Sequence, residues 1–377
     1  MRIALGITAA LLLVLIGIYF YHFIRRFFKT LNVNVDTRNK KIIFIVLSVI
    51  VSLSCLYIFG IQFIILAHFI VLGCIMDIIN LLIKKISKEK YDSMKWFKKI
   101  YGLAIIPIVI TIVLIIYGHI NIMNVVETNY DVSIDKSLRE EGYKVALIAD
   151  VHFGVSVDSE TLQEICNEIQ DKTPDMVVLC GDIVDENASK EDMKDVFKTF
   201  GEIDSEFGTF YVYGNHDRQL YSNNKSYSEE ELRETIEAAG IRILQDEYVE
   251  INDEVVLVGR EDAGYARSAN TSERKSIESI LDNVDKDKLI ITLDHQPKQY
   301  AEESEAGTDL LLSGHTHAGQ IWPANILFEI VKFDDAVYGE TIVDKMHAIV
   351  TSGFAGWGYS VKTSSPAEYV IINVSGK

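Results

Sequence analysis

Long apolar runs dominate the first third of the chain. They extend from Ile3 to Ile24, from Ile42 to Phe59, from Phe63 to Ile83 and from Ile100 to Tyr117. Each run is close to the roughly 20 residues that a helix needs to cross about 30 Å of hydrocarbon. Tyrosine and tryptophan lie near the ends of the runs, as they do at membrane interfaces. The pattern predicts a transmembrane domain over residues 1–119, with four helices at about 3–24, 42–59, 63–83 and 100–119.

The charge of the loops between these runs predicts how the helices are oriented. The loop from Arg25 to Lys41 carries six basic residues and the loop from Lys84 to Lys99 carries seven, whereas Gly60–Gln62 carries none. Basic loops stay in the cytoplasm. We therefore expect a multi-pass protein of the cell membrane, with both chain ends and residues 120–377 on the extracytoplasmic face.

One acidic residue, Asp77, lies well inside a predicted span. A carboxylate within the membrane is a functional candidate by default. Asp77 is also within two turns of the cytoplasmic end of its run, so we favour the interpretation that it pairs with Lys84 or Lys85.

Residues 120–377 show a different pattern, in which short apolar runs alternate with helical periodicity. Runs such as Val145–Ala149 and Met176–Cys180 predict buried strands. Ser228, followed three residues later by Glu231, predicts the capped start of a helix. The alternation predicts a layered α/β domain over residues 120–377. Its other predicted elements are helices at 162–169, Lys190–Phe200 and Ser276–Val284, a hairpin at Tyr248–Gly259, and strands at 130–134, Thr209–Tyr213, Leu289–Leu293, Leu310–Leu312 and Tyr369–Val374.

Composition differs between the two parts and limits the function. Residues 1–119 hold 14 basic and 4 acidic residues, whereas residues 120–377 hold 22 basic and 50 acidic residues, a net charge of −28. The whole chain has a net charge of −18, which argues against nucleic acid as a partner because that role needs a basic face. An apolar content of 49% excludes a disordered chain, and four cysteines exclude a disulfide framework.

Five of the predicted strands are each followed within three residues by Asp, Asn or His. These sequences are Asp150-x-His152, Gly181-Asp182-x-x-Asp185, Gly214-Asn215-His216-Asp217, Asp294-His295 and Gly314-His315-Thr316-His317. In layered α/β folds, ligands bind beyond the carboxyl ends of the strands, so we expect these side chains to converge on one rim. Five of the six histidines in residues 120–377 lie in these motifs.

The side chains in these motifs are typical metal ligands. Carboxylate, imidazole and amide groups suit Mn, Fe, Zn or Co rather than Ca or a thiolate-bound ion. One carboxylate can bridge two cations about 3.5–4 Å apart, the spacing of two-metal hydrolases. Each motif alone has a structural explanation, such as a turn at Gly214-Asn215. All five together, each after an apolar strand, predict a metal site.

At these motifs the sequence resembles the calcineurin-like metallophosphoesterase family, over roughly residues 124–375. DHQP at 294–297 and GHTHAGQ at 314–320 are most similar to its membrane-associated bacterial branch, which includes phosphodiesterases and lipid-linked UDP-sugar pyrophosphohydrolases. The resemblance implies an αββα-type sandwich of two sheets and a site for two divalent metal ions. Ala318 stands where that branch commonly has glycine.

The resemblance also implies a role for each motif residue. Asp150, His152 and His317 would hold one ion, and Asn215, His295 and His315 would hold the other. Asp182 would be the carboxylate that bridges the two ions. His216 would be the general acid, oriented by Asp185. The implied activity is hydrolysis of a phosphodiester or pyrophosphate bond by a bridging water whose pKa the two cations lower.

The acidic charge of the predicted catalytic domain bears on the substrate. A net charge of −28 repels a soluble anion, so we favour a lipid-linked or envelope phosphoester that arrives along the membrane. A soluble nucleotide or cyclic nucleotide is the alternative. A non-catalytic metal-binding interaction module and a transporter with an accessory domain remain open as other functional classes. The segment Gly353–Pro366, with Trp357 and Tyr359, forms either a substrate-side loop or a plain surface connection.

Overall fold

The computed structural model describes residues 2–268 and 274–377. The chain divides into two compact units, Met1–Tyr117 and Gly118–Lys377. The helices of the first unit are α1 (Arg2–Thr30), α2 (Arg38–Ser54), α3 (Ile61–Ile86), α4 (Lys88–Tyr91), α5 (Lys95–Gly102) and α6 (Ile105–Ile122), whose last turns belong to the second unit.

Three helices in the described part of the chain are long and apolar enough to cross a membrane: Ala10–Thr30 within α1, α3 and α6. The prediction of four spans is therefore wrong. The second apolar run forms α2, which has only 17 residues and begins with Arg38, Asn39, Lys40 and Lys41. At about 1.5 Å per residue, its apolar part covers about 20 Å, less than the roughly 30 Å of hydrocarbon.

Asp77 lies on α3 and pairs with a basic residue from another helix. It contacts Arg26 of α1 and accepts a hydrogen bond from the Tyr101 hydroxyl at 2.7 Å. The prediction that it pairs with Lys84 or Lys85 is wrong, because those lysines lie two turns further along α3, about 10 Å away along its axis. The contacts nevertheless give Asp77 a structural role within the first unit.

Two six-stranded sheets form the centre of the second unit. In space the first sheet has the order β1-β12-β2-β3-β4-β5 and the second has the order β10-β11-β9-β8-β7-β6. Strands β2 to β5 are parallel, as are β7, β8, β9 and β11. The strands are β1 (Val125–Ser133), β2 (Tyr143–Ile148), β3 (Met176–Cys180), β4 (Thr209–Val212), β5 (Arg242–Ile243), β6 (Glu247–Glu250), β7 (Val255–Gly259), β8 (Leu289–Leu293), β9 (Leu310–Ser313), β10 (Gly339–Val343), β11 (Met346–Val350) and β12 (Ala367–Ser375).

The two sheets pack face to face, and helices cover both outer faces. Successive residues of β2 show why its whole run is apolar: Val145 and Leu147 lie in the core between the sheets, whereas Ala146 and Ile148 lie in the core beneath the helices. The predicted two-sheet α/β fold is confirmed. The helices are α7 (Ser159–Asp171), α8 (Lys190–Gly201), α9 (Glu229–Ala238), α10 (Ala263–Ser268), α11 (Ile277–Ile280), α12 (Tyr300–Ala306) and α13 (Ala324–Val331), with a 3₁₀ turn at His317–Gly319.

Local signals set some element boundaries better than others. Ser228 accepts a hydrogen bond from the backbone N–H of Glu231 at 3.1 Å, the predicted cap of α9. The predicted helix Ser276–Val284 is shorter than expected, since only α11 (Ile277–Ile280) is helical. The hairpin of β10 and β11 has no counterpart in the predicted elements.

Candidate metal centre

The predicted ligands follow the carboxyl ends of strands in both sheets. Asp150 comes after β2, Asp182 after β3 and Asn215 after β4 in the first sheet, whereas His295 comes after β8 and His315 after β9 in the second. Because these strands are parallel within each sheet, their carboxyl ends meet at one edge of the sandwich. The structure thus brings together residues that are far apart in sequence, such as His152 and His317, which are separated by 165 positions.

The first ligand group consists of Asp150, His152 and His317. One ligand atom from each lies within 4.8 Å of the others. The Nε2 atom of His317 is 3.6 Å from Asp150 Oδ1 and 3.2 Å from His152 Nε2. All three side chains are buried, and they form the set predicted for one ion.

The second group consists of Asp182, His295 and His315, again with ligand atoms within 4.8 Å of one another. Asp182 Oδ2 is 3.1 Å from His295 Nε2 and 3.9 Å from His152 Nε2 of the first group. This carboxylate therefore lies between the two groups, at the position expected of a bridging ligand.

The side chain of Asn215 shows whether the residues of this site fit a metal ion. Its side-chain oxygen is buried and accepts no hydrogen bond from any residue that the structure describes. A buried acceptor without a partner costs about 1–3 kcal/mol, and a cation would remove that cost. Together with the carboxylate and imidazole groups nearby, the donor set fits divalent metal ions.

The backbone at five of the predicted ligands lies in the left-handed region. The φ angles are 55° at Asp150, 41° at His152, 53° at Asp182, 71° at His315 and 49° at His317. Such conformations cost on the order of 1–3 kcal/mol each and cluster at functional sites. The surrounding hydrogen bonds must therefore hold these loops in place.

Asp217 holds two of the ligand loops together. Its Oδ2 atom accepts the backbone N–H groups of Asp182 at 2.9 Å and Gly214 at 2.6 Å, and its Oδ1 atom accepts those of Ile183 at 2.8 Å and Val184 at 3.2 Å. Gly214 permits the close approach, since a Cβ atom there would lie 2.2 Å from Asp182 Oδ1. One buried carboxylate thus positions the loops that carry Asp182 and Asn215.

Other hydrogen bonds orient individual ligands. His295 Nδ1 lies 2.8 Å from the Cys180 carbonyl oxygen, which leaves Nε2 directed toward Asp182. The backbone N–H of His315 donates to both carboxylate oxygens of Asp150, at 3.0 and 2.9 Å. These contacts link the two sheets at the site.

The charges in the site favour metal-binding forms of the side chains. Burial by itself raises the pKa of Asp182, but His295, His216 and His152 hold it well below its usual value. Burial, together with the neighbouring His295, lowers the pKa of His315 to about 3. At neutral pH Asp182 is ionised and His315 is neutral, the forms that coordinate metals.

His216, the predicted general acid, lies beside the ligands but has an unexpected partner. Its Nδ1 atom is 2.7 Å from Glu186 Oε2. Asp185, the partner that we expected, instead lies 3.6 Å from His152 Nδ1 and accepts the backbone N–H of Asn187 at 2.7 Å. The two acids are adjacent in sequence, so their side chains point in different directions, and only the longer glutamate reaches His216.

Two aromatic side chains pack around His216. The ring centroid of Tyr221 is 5.1 Å and that of Trp357 is 5.2 Å from the His216 ring. The loop that carries Trp357 also contacts the first ligand group, because the backbone N–H of Ala355 donates to the Asp150 carbonyl at 3.0 Å. Of the two interpretations of Gly353–Pro366, the structure favours a loop of the site.

Sequence reasoning missed the roles of three residues near the site. Glu186 follows the motif acid Asp185 directly, and Asp217 is the last residue of the Gly214-Asn215-His216-Asp217 motif. Only the fold shows that Glu186 contacts His216 and that Asp217 holds the ligand loops. Tyr221 lies outside the motifs and carried no signal. Ala318, noted in place of a glycine, has a φ of 49°, a conformation in which glycine costs least.

Comparisons with known proteins show similarity to metallophosphoesterases. Residues 143–319 match the calcineurin-like phosphoesterase family. The chain is 28% identical to an uncharacterized metallophosphoesterase of Campylobacter jejuni over 305 residues, covering 80% of this chain and 76% of that protein. It is 27% identical over 332 residues to a Danio rerio transmembrane protein with a metallophosphoesterase domain, covering 85% and 72%. An uncharacterized metallophosphoesterase of Helicobacter pylori is 31% identical over 246 residues, covering 65% and 61%.

Proposed function

We propose, from the calcineurin-like metallophosphoesterase domain that this chain contains, that it is a membrane-anchored phosphoesterase that depends on two divalent metal ions. The observation that carries the proposal is the pair of ligand groups with Asp182 between them. Asp150, His152 and His317 would hold one ion, and Asn215, His295 and His315 would hold the other. When bound, two such ions supply an activated water and neutralise charge on the phosphoryl oxygens.

The residues of the chain supply the remaining needs of phosphoester cleavage. His216 is next to Asn215 and partly shielded by Tyr221 and Trp357, so it can donate a proton to the leaving oxygen. Such general acid catalysis contributes roughly 10²–10⁴-fold. Glu186 accepts a hydrogen bond from the protonated ring and holds it in position. Asp217 keeps the loops of Asp182 and Asn215 in register.

Three helices that are long and apolar enough to cross a membrane support the proposed anchoring. The last of them, α6, leads directly into the metallophosphoesterase domain. The alignment with the transmembrane relative also covers more of this chain than the second unit alone. The basic segment Lys84–Lys99 precedes α6, so a cytoplasmic location for it puts the domain on the extracytoplasmic face. This orientation depends on the last span only and not on the number of spans before it.

The substrate we propose is a phosphodiester or pyrophosphate that is linked to a lipid or to the cell envelope. The acidic domain, with a net charge of −28 in residues 120–377, disfavours the capture of free anions from solution. A substrate that already lies at the membrane avoids this long-range repulsion.

Turnover of bis(p-nitrophenyl) phosphate tests the activity without any assumption about the lipid. The full chain in detergent, stripped with a chelator and reloaded with Mn²⁺, Co²⁺ or Zn²⁺, should regain hydrolysis that the stripped protein lacks. The D182N variant should not regain it, whereas a D135N variant, changed on the exposed surface, should. Failure of the reloaded wild-type chain to hydrolyse this diester would refute the proposal.

A further inference from the structure

Helix α13 presents an apolar face to the surface of the second unit. Ile326, Leu327, Ile330 and Val331 are 44%, 54%, 71% and 65% exposed, and Phe333, just beyond the helix, is 60% exposed. The four helical residues are spaced i, i+1, i+4 and i+5, so they share one face. A face this apolar is not the ordinary solvent surface of a protein.

This patch is the main concentration of exposed apolar side chains in the second unit. Within the described residues of 118–377, eleven large apolar side chains are exposed, and five of them lie in residues 326–333. Two more, Ile120 and Met123, lie at the end of α6. The other four are Tyr221, Tyr248, Tyr338 and Ile342, and three of these are tyrosines with a polar hydroxyl.

The start of α13 is tied to the end of the last candidate span. The backbone N–H of Trp322 donates to Thr363 Oγ1 at 2.9 Å. The next residue back, Lys362, donates its backbone N–H to the Gly118 carbonyl of α6 at 2.9 Å. The Asn121 side chain of α6 donates to the carbonyl oxygens of Lys362 at 2.9 Å and Ser365 at 2.6 Å. One short segment therefore links the apolar helix to the place where α6 ends.

We propose that α13 lies in the membrane interface, with Ile326, Leu327, Ile330, Val331 and Phe333 inserted among the lipid acyl chains. An eight-residue helix is about 12 Å long, so it can lie on a bilayer of about 30 Å but cannot cross it. The occupant of the face is lipid, because hydrogen bonds of Trp322, Lys362 and Thr363 tie the start of this helix to the end of α6, a candidate membrane span. Interfacial helices have this combination of an apolar face and nearby aromatic residues.

The location of α13 has a consequence for the substrate. The helix begins seven residues after His317, and the intervening turn belongs to the same loop as His315. A cavity of about 440 Å³ lies between Ile122 and Met123 at the end of α6 and the Phe153–Ser159 loop that follows His152. With α13 in the interface, both features would bring the metal centre close to the lipid head groups. This step rests on the proposed function, and it specifies an amphiphilic phosphoester whose apolar part remains in or near the bilayer.

Quenching of an added tryptophan by brominated lipid tests the insertion of α13 directly. The I330W and V331W variants of the full chain are reconstituted into phosphatidylcholine vesicles with and without bromine on the acyl chains. The matched control is Y248W on β6, at the edge of the second sheet opposite to β10. The parent chain has three tryptophans, so each added residue contributes about one quarter of the tryptophans in its variant.

We expect brominated lipid to remove the emission that is added at positions 330 and 331, and to leave the emission added at position 248 unchanged. Equal quenching at all three positions, or none at 330 and 331, would overturn the proposal. This measurement needs no enzymatic activity, so its outcome is independent of whether the chain hydrolyses a phosphoester.

Activity measurements then separate the location of the helix from the function of the site. An I330E/V331E variant should hydrolyse bis(p-nitrophenyl) phosphate like the wild type. On a phosphodiester lipid in vesicles its kcat/KM should fall by about tenfold or more, the factor that the burial of one isoleucine side chain accounts for. An unchanged kcat/KM on the lipid would refute the role of α13 in substrate access. Wild-type protein that is inactive on every phosphoester would refute the proposed function and leave the quenching result standing.

Discussion

Replacement of Asp217 by asparagine should disrupt the metal centre without removing a ligand. The carboxylate accepts four backbone N–H groups, two at each oxygen. An amide in its place keeps one acceptor oxygen and turns an N–H₂ group toward two of the four donors. Two buried N–H groups then lose their acceptor, at about 1–3 kcal/mol each. The expected loss is about 2–6 kcal/mol, a large part of the roughly 5–15 kcal/mol of net stability that proteins typically have.

The loss should appear in metal affinity as well as in thermal stability. The two lost bonds hold the Asp182 loop if Oδ1 is replaced, and the loops of both Asp182 and Asn215 if Oδ2 is replaced. Removal of such supporting contacts costs about 10–100-fold in metal affinity. A loss of a few kcal/mol also lowers the melting midpoint of a domain of this size by on the order of 10 °C. Metal affinity is measured by equilibrium dialysis of the full chain in detergent against increasing Mn²⁺. Thermal stability is measured by a melt of the same sample.

A matched control separates the two effects. Asp175 precedes β3 at the opposite end of the same sheet, and it accepts the backbone N–H of Lys144 at 2.6 Å and contacts Arg139. The D175N variant should melt at a lower temperature but bind metal like the wild type. If D217N binds Mn²⁺ as tightly as D175N does, Asp217 does not organise the metal centre.

Three further predictions concern the proton donor and a buried lysine. The H216N variant should retain its metal but lose about 10²–10⁴-fold in kcat, measured with bis(p-nitrophenyl) phosphate; wild-type turnover would exclude His216 as the acid. Because Glu186 contacts His216, the E186Q variant should lower kcat at full metal content. Because Asp185 faces His152, the D185N variant should lower metal affinity. If D185N instead lowers kcat at full metal content and E186Q does not, Asp185 is the partner of His216. Burial lowers the pKa of Lys362 from 10.5 to about 7, so between these values the unfolded chain binds more protons than the folded chain and stability rises with pH. The melting midpoint of the wild type, measured relative to that of K362M, should therefore increase from pH 7 to pH 10. A difference between the two midpoints that stays constant over this range would contradict the lowered pKa of Lys362.

The fold was predictable where a local signal is strong. Strands β3 and β8 have the predicted boundaries, because continuous apolar runs flanked by polar residues mark buried parallel strands. The hairpin of β10 and β11 was missed because β10 alternates between half-buried and exposed residues and lacks such a run. The end of α2 was predicted five residues too late, because apolar residues after Ser54 extend the pattern but not the helix.

The site was predictable in composition but not in every contact. Each strand-end motif lies in a loop after its strand, and the parallel order of the strands brings the motifs together. Which of two adjacent acids faces His216 depends on side-chain direction in a loop, and no periodicity sets that direction. The pairing of Arg26 with Asp77 likewise depends on which helices pack together, which the sequence alone does not reveal.

Metal stoichiometry measured on the same sample as turnover tests the central claim most directly. The full chain, purified in detergent and equilibrated with Mn²⁺, should contain two ions per chain by elemental analysis and should hydrolyse bis(p-nitrophenyl) phosphate. Both signals should disappear together when a chelator removes the metal. A folded chain that binds no divalent ion, or that hydrolyses the diester equally well without one, would contradict the account.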